Sequence, residues 1–341
     1  MKILILKPSS LGDVVQALPV LRLLKRHLPA SEVYWWIDTQ LAPLLEGDPD
    51  LKGVVHFHRR RWAAPQYWPE IVDSIRWMRQ QKFDWVIDLQ GLMRSGLFAW
   101  LANGKLTVGV DEPREGARGL YDIIVRRPSP QTHAVDWYLE VLGPLGIPPS
   151  RDFVWLPDRP AVAEAIRGKW PVGEGRWIVL QPGARWVTKR WPVEQFGELV
   201  QRVAAARPDL RYVILGGGED RPLGEQLQRL AGPRCLDLTG QLSLLEMVEW
   251  IRVSELMVTN DTGPMHVAAA LGKPVVGLFG PTDPRRTGPY GQVERVLQLD
   301  LPCVPCLNGR CLYRNSRHMQ CLRRLPAEVV AEAVLRRLWQ G

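Results

Sequence analysis

The chain has 341 residues, 46% of them hydrophobic and 23% charged, with 44 Lys and Arg against 36 Asp and Glu for a formal net charge of +8. That balance excludes a disordered, collagen-like or disulfide-stapled architecture, and at roughly 150 residues per domain the length allows about two domains. No run reaches the roughly 18 apolar residues of a spanning helix, and the short apolar stretch after Lys2 does not make a signal peptide, so the expectation is a cytoplasmic, two-domain protein.

Taken in chain order, a strand is expected at 2–7 and a helix over 13–27, where Val14, Leu18, Leu21 and Leu24 fall on one side. Strands follow at 33–37 and 54–57, a helix over 69–81, a strand at 84–89, and helices over 92–102 and 133–145. Pro148, Pro149, Pro157, Pro160 and Pro171 then interrupt the pattern, and the domain linker is placed among them. The alternation restarts with strands at 177–181, 212–216, 256–259 and 274–279 and helices over 193–206, 221–231, 244–251 and 264–271. A final amphipathic helix covers 326–339. Strands alternating with helices at this spacing build parallel sheets covered on both faces. The chain therefore reads as α/β, with two Rossmann-like doubly wound domains facing across a cleft, at 1–160 and 172–325. Ligands of such sheets bind beyond the carboxyl ends of the strands, so the loops there hold the chemistry.

The first of these loops, Lys7-Pro8-Ser9-Ser10-Leu11-Gly12-Asp13, runs straight into a helix and suits close approach of a ligand to the helix N-terminus. It carries neither a dinucleotide fingerprint nor a P-loop ending, which argues against nicotinamide and ATPase chemistry. Asp13 in the first turn fits helix capping as well as catalysis. In the second half, Gly183 and then Thr188, Lys189 and Arg190 precede a helix, a pattern that suits a diphosphate; a solvated loop is the alternative. Glu219 and Asp220 follow the glycines after the next strand, where a carboxylate can bind sugar or ribose hydroxyls. The densest stretch is Asp261-Thr262-Gly263-Pro264-Met265-His266, where Thr262 and Gly263 offer backbone N–H groups at a helix start and His266 shares the turn. Together these loops suggest a diphosphate-sugar site.

Ser9-Ser10-Leu11-Gly12-Asp13, Asp88-Leu89-Gln90-Gly91, Lys189-Arg190-Trp191-Pro192, the Asp261–His266 stretch and Phe279-Gly280-Pro281-Thr282-Asp283-Pro284 resemble, in order and spacing, the lipopolysaccharide heptosyltransferase family. The resemblance implies the GT-B fold and inverting transfer of a heptose from ADP-heptose to the lipopolysaccharide inner core, with no cofactor or catalytic metal. It implies Asp13 as general base, a donor site including Lys189 and the Asp261–His266 turn, and an acceptor site in the N-terminal domain. An anionic acceptor suits Arg59, Arg60 and Arg61, with Ser10, Gln90, Arg94 and Arg118 as further candidates. A solvated basic turn would equally explain the triplet. In that fold the final helix, within 326–341, packs back on the N-terminal domain. Two readings stay open beside this one: a transferase using another nucleotide sugar, and a non-catalytic nucleotide-sugar-binding protein of the same fold.

Four of the five cysteines fall late, as Cys303, Cys306, Cys311 and Cys321. In an intracellular chain such a cluster suits structural zinc or an iron–sulfur cluster better than disulfides, although the spacing matches no common ribbon. The surrounding arginines would favour peripheral contact with an anionic inner-membrane face. No nucleic-acid module is present in the sequence, so nucleic acid is not an expected partner. Trp is unusually frequent, with 15 residues, and Trp35, Trp36, Trp62 and Trp68 stand beside charges, where a ring fits either a polar–apolar boundary or extra core packing.

Overall fold

The computed structural model describes residues 1–112 and 115–339. The chain divides into two compact units, Met1–Pro157 and Asp158–Gly341, and the division falls within the Pro-rich stretch. Among the described residues no helix is long and apolar enough to cross a membrane.

The first unit runs β1 (Lys2–Leu6), α1 (Leu11–His27), β2 (Glu32–Asp38), β3 (Gly53–Phe57), α2 (Trp68–Gln81), β4 (Trp85–Asp88), α3 (Met93–Ala102), β5 (Leu106–Val110), β6 (Ile123–Val125) and α4 (Ala134–Leu139). Its six strands are all parallel, in the order β3-β2-β1-β4-β5-β6. β1 is central, and Ile3 to Leu6 are fully buried, as a strand covered on both faces requires. α1 ends in Lys25, Arg26 and His27, which complement the negative end of the helix dipole. Trp35, Trp36 and Trp62 lie in the core, where Trp36 stands 4.7 Å from Phe98 and Trp62 stacks on Phe98 at 6.0 Å. Trp68 alone of those four stays exposed.

The second unit runs α5 (Pro160–Lys169), β7 (Arg176–Gln181), α6 (Val193–Ala206), β8 (Leu210–Ile214), α7 (Arg221–Ala231), β9 (Cys235–Asp237), α8 (Leu244–Val253), β10 (Leu256–Asn260), α9 (Gly263–Ala270), β11 (Val275–Phe279), α10 (Pro284–Thr287), β12 (Leu297–Gln298), α11 (Gln320–Arg323) and α12 (Ala327–Leu338). The strands are again parallel, ordered β12-β11-β10-β7-β8-β9. Counted from its own first strand, this is the order of the first unit. In both, the order reverses beside the first strand, between β1 and β4 and between β7 and β10, and such switch points open a crevice at the carboxyl edge.

One expectation changes. The stretch 160–169 is a helix rather than linker, because Pro160 sits at its first turn, where a missing N–H and a fixed φ are favourable. Within the second unit, α12 buries Ala327, Val330, Ala331 and Val334 in the core, with Trp191, Phe196 and Leu199.

Candidate functional site

In the first unit, the residue after β1 is Lys7, almost completely buried, whose Nζ donates to Leu89 O at 2.9 Å and to Tyr138 Oη at 2.8 Å. Burial pulls the ammonium pKa down, but Tyr138, Asp13 and Asp88 more than offset this and leave it above its ordinary value. The chain enters α1 at Ser10, and both Ser10 N–H and Ser10 Oγ donate to Asp13 Oδ2, at 2.9 and 2.7 Å. This is a helix cap, and it also fixes a half-buried carboxylate beside the switch point. The capping reading of Asp13 is the one these contacts show.

Across the switch point, Asp88 at the end of β4 is wholly buried, and burial pushes its carboxyl above the usual range. Its Oδ1 accepts from the N–H groups of Gln90 at 2.8 Å and Gly91 at 3.2 Å, and its Oδ2 accepts from Tyr121 Oη at 2.7 Å. Gly91 has φ +70° and lies so near Val110 O that a Cβ would come within 2.7 Å, so only glycine suits the turn. Among the described residues Gln90 Oε1 is buried without a hydrogen-bond partner, an acceptor that a sugar hydroxyl would satisfy.

The arginines differ in availability. Arg61 is engaged by Glu70 at 2.5 Å and covers the Tyr67 ring at 4.3 Å. Among the described residues no carboxylate pairs with its exposed neighbours Arg59 and Arg60. Arg94 is exposed on α3, 5.8 Å from the centroid of Phe57. Arg118 donates to Asp111 at 2.6 Å, which raises its pKa.

In the second unit, β7 leads into a loop where Gly183 packs directly on Asp220; a Cβ there would stand 2.2 Å from the Asp220 carboxylate. Burial raises the Asp220 pKa, tempered by the N–H of Gly217 and by Arg190. Glu219 beside it is exposed. The loop then delivers Lys189, whose Nζ lies 2.6 Å from Asp261 Oδ2, the residue after β10. The same oxygen accepts from Thr282 Oγ1 at 2.7 Å, after β11. Lys189 Nζ also stands 4.9 Å from the ring centroid of Trp186. Asn260, fully buried at the end of β10, pins both ends of the β7–α6 loop: its Oδ1 accepts from Trp191 N–H at 3.0 Å and its Nδ2 donates to Pro182 O at 2.8 Å. Thr262 is the N-cap residue of α9, its Oγ1 3.3 Å from Thr259 Oγ1; Gly263 opens the helix and His266 is buried in its first turn. A cation, a polar clamp and a helix N-terminus therefore meet at the second switch point, a combination that suits a diphosphate.

Residues 71–316 match the sequence profile of glycosyltransferase family 9 (heptosyltransferase). The chain belongs to glycosyltransferase family 9. It is similar to lipopolysaccharide heptosyltransferase 1 of Pseudomonas aeruginosa, with 33% identity over 333 residues that cover 93% of this chain and 89% of the relative. Against lipopolysaccharide heptosyltransferase 1 of Escherichia coli K12 the identity is 28%, over 92% of this chain and 98% of that one. Among solved structures, E. coli heptosyltransferase WaaC with ADP superposes with TM-score 0.78 at 25% identity, over 99% of this chain and 100% of that one. E. coli ADP-heptose lps heptosyltransferase II gives TM-score 0.79 at 23% identity, over 100% and 99%. With its two parallel six-stranded sheets, this family 9 glycosyltransferase has the GT-B fold.

Several residues that organise the site of this family 9 chain were not singled out in the sequence. Thr282 and Asn260 stand in or beside motifs already noted, but nothing in a linear reading shows that one hydroxyl reaches Asp261 or that one amide pins both ends of the β7–α6 loop. Lys7 and Asp88 read as strand ends, and only burial reveals their roles. Among the described residues no group of three or more His, Cys, Asp or Glu side chains could hold a metal ion, so the expected zinc or iron–sulfur site at Cys303, Cys306, Cys311 and Cys321 finds no support. They are free thiols, and Cys311 Sγ accepts from Met319 N–H at 3.3 Å.

Proposed function

We propose that this chain is an inverting, metal-independent heptosyltransferase that moves a heptose from ADP-heptose to the inner core of lipopolysaccharide. The observation that carries the reading is the pair of switch points: a capped, half-buried Asp13 at one and the Lys189–Asp261–Thr282 cluster before a helix N-terminus at the other. The 33% identity to a lipopolysaccharide heptosyltransferase 1 supports the choice of sugar and acceptor. The acceptor hydroxyl oxygen attacks the anomeric carbon, Asp13 takes the hydroxyl proton, and the bond from that carbon to the ADP oxygen breaks. Lys189 and the N–H groups at Thr262 and Gly263 stabilise the charge growing on ADP, so no cation is needed there. Thr188, Gly183 and His266 shape the diphosphate side, and Glu219 serves a sugar or ribose hydroxyl. Gln90, Ser10 and the basic side chains Arg59, Arg60, Arg61, Arg94 and Arg118 receive the anionic acceptor.

We also infer peripheral contact with the inner face of the inner membrane, as a lipid-linked acceptor would require. Its support is a set of exposed apolar side chains on two neighbouring helices: Trp68 and Val72 on α2, and Met93, Leu97 and Trp100 on α3. Trp68 and Trp100 are 57% and 58% exposed, and Arg59, Arg60 and Arg94 supply the charge that anionic lipid attracts.

The test is calorimetric titration with ADP-heptose, ADP, UDP and UDP-glucose, followed by transfer assays on Asp13→Ala with and without EDTA. Expected are selective binding of the adenine nucleotides, a loss of turnover of roughly 10²–10⁴-fold in the variant with donor affinity retained, and no effect of EDTA. Preference for UDP-glucose would discard the heptose, and full turnover of the variant would discard Asp13 as base.

A further inference from the structure

The stretch between β12 and α12 belongs to neither sheet, yet it holds four of the five cysteines. All four are partly exposed and unbridged, whereas Cys235 is buried in β9. They gather around α11. Met319 N–H donates to Cys311 Sγ, Gln320 Nε2 stands 4.0 Å from Cys303 Sγ, and Cys321 comes next in the chain. Burial and the nearby Cys303, Cys306 and Cys311 sulfurs push the Cys321 thiol up to about 11.

Three consecutive residues of this stretch lie on the loops that carry the donor cluster. Leu307 N–H donates to Pro281 O at 2.7 Å, next to the Thr282 that holds Asp261. Asn308 O accepts from Thr188 Oγ1 at 3.2 Å, next to Lys189. Gly309 lies against the indole of Trp186, where a Cβ would stand 3.3 Å from the ring, and that ring faces the Lys189 ammonium. At its other end the stretch closes on the same loops, since a Cβ on Gly280 would come within 3.1 Å of Cys321 Sγ. A loop that merely covered the sheet would have no reason to contact residues beside Thr188, Lys189 and Thr282 in turn.

We propose that residues 303–321 form a brace for the nucleotide side of the site, and that its thiols are a modification site for soft electrophiles whose addition loosens donor binding. This rests on the donor reading given above. In the reaction a cysteine sulfur adds to the carbon–carbon double bond of an electrophile such as a maleimide, a sulfur–carbon bond forms, the neighbouring carbon takes a proton from solvent, and nothing leaves. An adduct enlarges a stretch that already lies in close contact with the donor loops at Gly309 and Gly280, so the stretch shifts and takes Trp186, Thr188 and Pro281 with it.

The experiment uses full-length protein carrying Cys235→Ser, so that only the four brace thiols react. It is treated with N-ethylmaleimide, the adducts are mapped by peptide mass spectrometry, and ADP and UDP are titrated calorimetrically before and after. Expected is a drop in ADP affinity of about tenfold or more on alkylation at Cys303, Cys306 or Cys311, and slower alkylation when ADP is bound, because bound ADP holds the loops against the stretch that the adduct must displace. Gly309→Val, which no electrophile touches, is expected to weaken ADP binding severalfold by displacing Trp186. Unchanged ADP affinity in both the alkylated protein and Gly309→Val overturns the brace while leaving the donor reading intact. Failure of the untreated protein to bind either nucleotide removes the donor reading and the brace together.

Discussion

At the scale of single residues, one carboxylate oxygen of the proposed donor cluster serves two partners. Asp261 Oδ2 holds the Lys189 ammonium and the Thr282 hydroxyl, which fixes the cation before any ligand arrives. Removing the cation leaves Asp261, 6% exposed at its side chain, without its charge partner and strips the diphosphate of its point charge. Lys189→Ala is therefore expected to weaken ADP binding about 10- to 100-fold, the range for one charge-assisted hydrogen bond. Thr282→Val, which keeps the charge and loses only the hydroxyl, is expected to have a smaller effect in the same titration. Equal affinity of wild type and Lys189→Ala would take this lysine out of the site. Lys189 and Asp261 were legible as candidates because cationic and acidic side chains after strands of a parallel sheet point to one edge. Thr282 was not, since its part depends on an oxygen 21 residues away that only the β10–β11 pairing brings near.

At the scale of elements, the loops after the strands are set by where glycine permits contact. Gly183 and Gly168 make the contrast. A methyl on Gly183 would meet the buried Asp220 carboxylate, itself tied to Gly217 N–H at 3.2 Å, whereas nothing lies within 4 Å of a methyl on Gly168 in α5. Gly183→Ala is expected to destabilise the protein by about 1–3 kcal/mol and to lower ADP affinity, as overpacking against a fixed group does. Gly168→Ala is expected to stabilise it by about 0.5–1 kcal/mol, the ordinary helix preference. Urea unfolding of both variants checks the pair, and destabilisation at Gly168 would contradict the open space seen there. The longer elements were legible because their apolar periodicity is sustained: α1, α6 and the fully buried β1 and β10 each carry a one-sided or continuous apolar run. β6 and β9, three residues each, are too short to show any period and exist because an already formed sheet edge accepts them. α5 was hidden by the prolines around it, although the one it contains, Pro160, starts it.

At the scale of the whole molecule, the exposed apolar side chains of α2 and α3 bear on where the protein works. The double variant Trp68→Ser, Trp100→Ser is expected to sediment several-fold less with phosphatidylglycerol vesicles than wild type, with ADP affinity unchanged. Equal sedimentation of the two would show that the bilayer is met by another surface. The sequence by itself determined the layering of two doubly wound parallel sheets, the edge on which loops would carry chemistry, and the motif set that resembles one transferase family. Those features are local or repeat along the chain, so hydrophobic period and residue type suffice to read them. The tertiary structure decided what depends on distance in three dimensions: that Ser10 both caps α1 and holds Asp13, that Arg61 and Arg118 are already paired while no carboxylate among the described residues pairs with Arg59 or Arg60, and that α12 packs within the second unit. It also left the expected metal site at the cysteines without support among the described residues. A thiol pattern states which ligands exist, but convergence of their sulfurs on one point is a property of the folded chain alone.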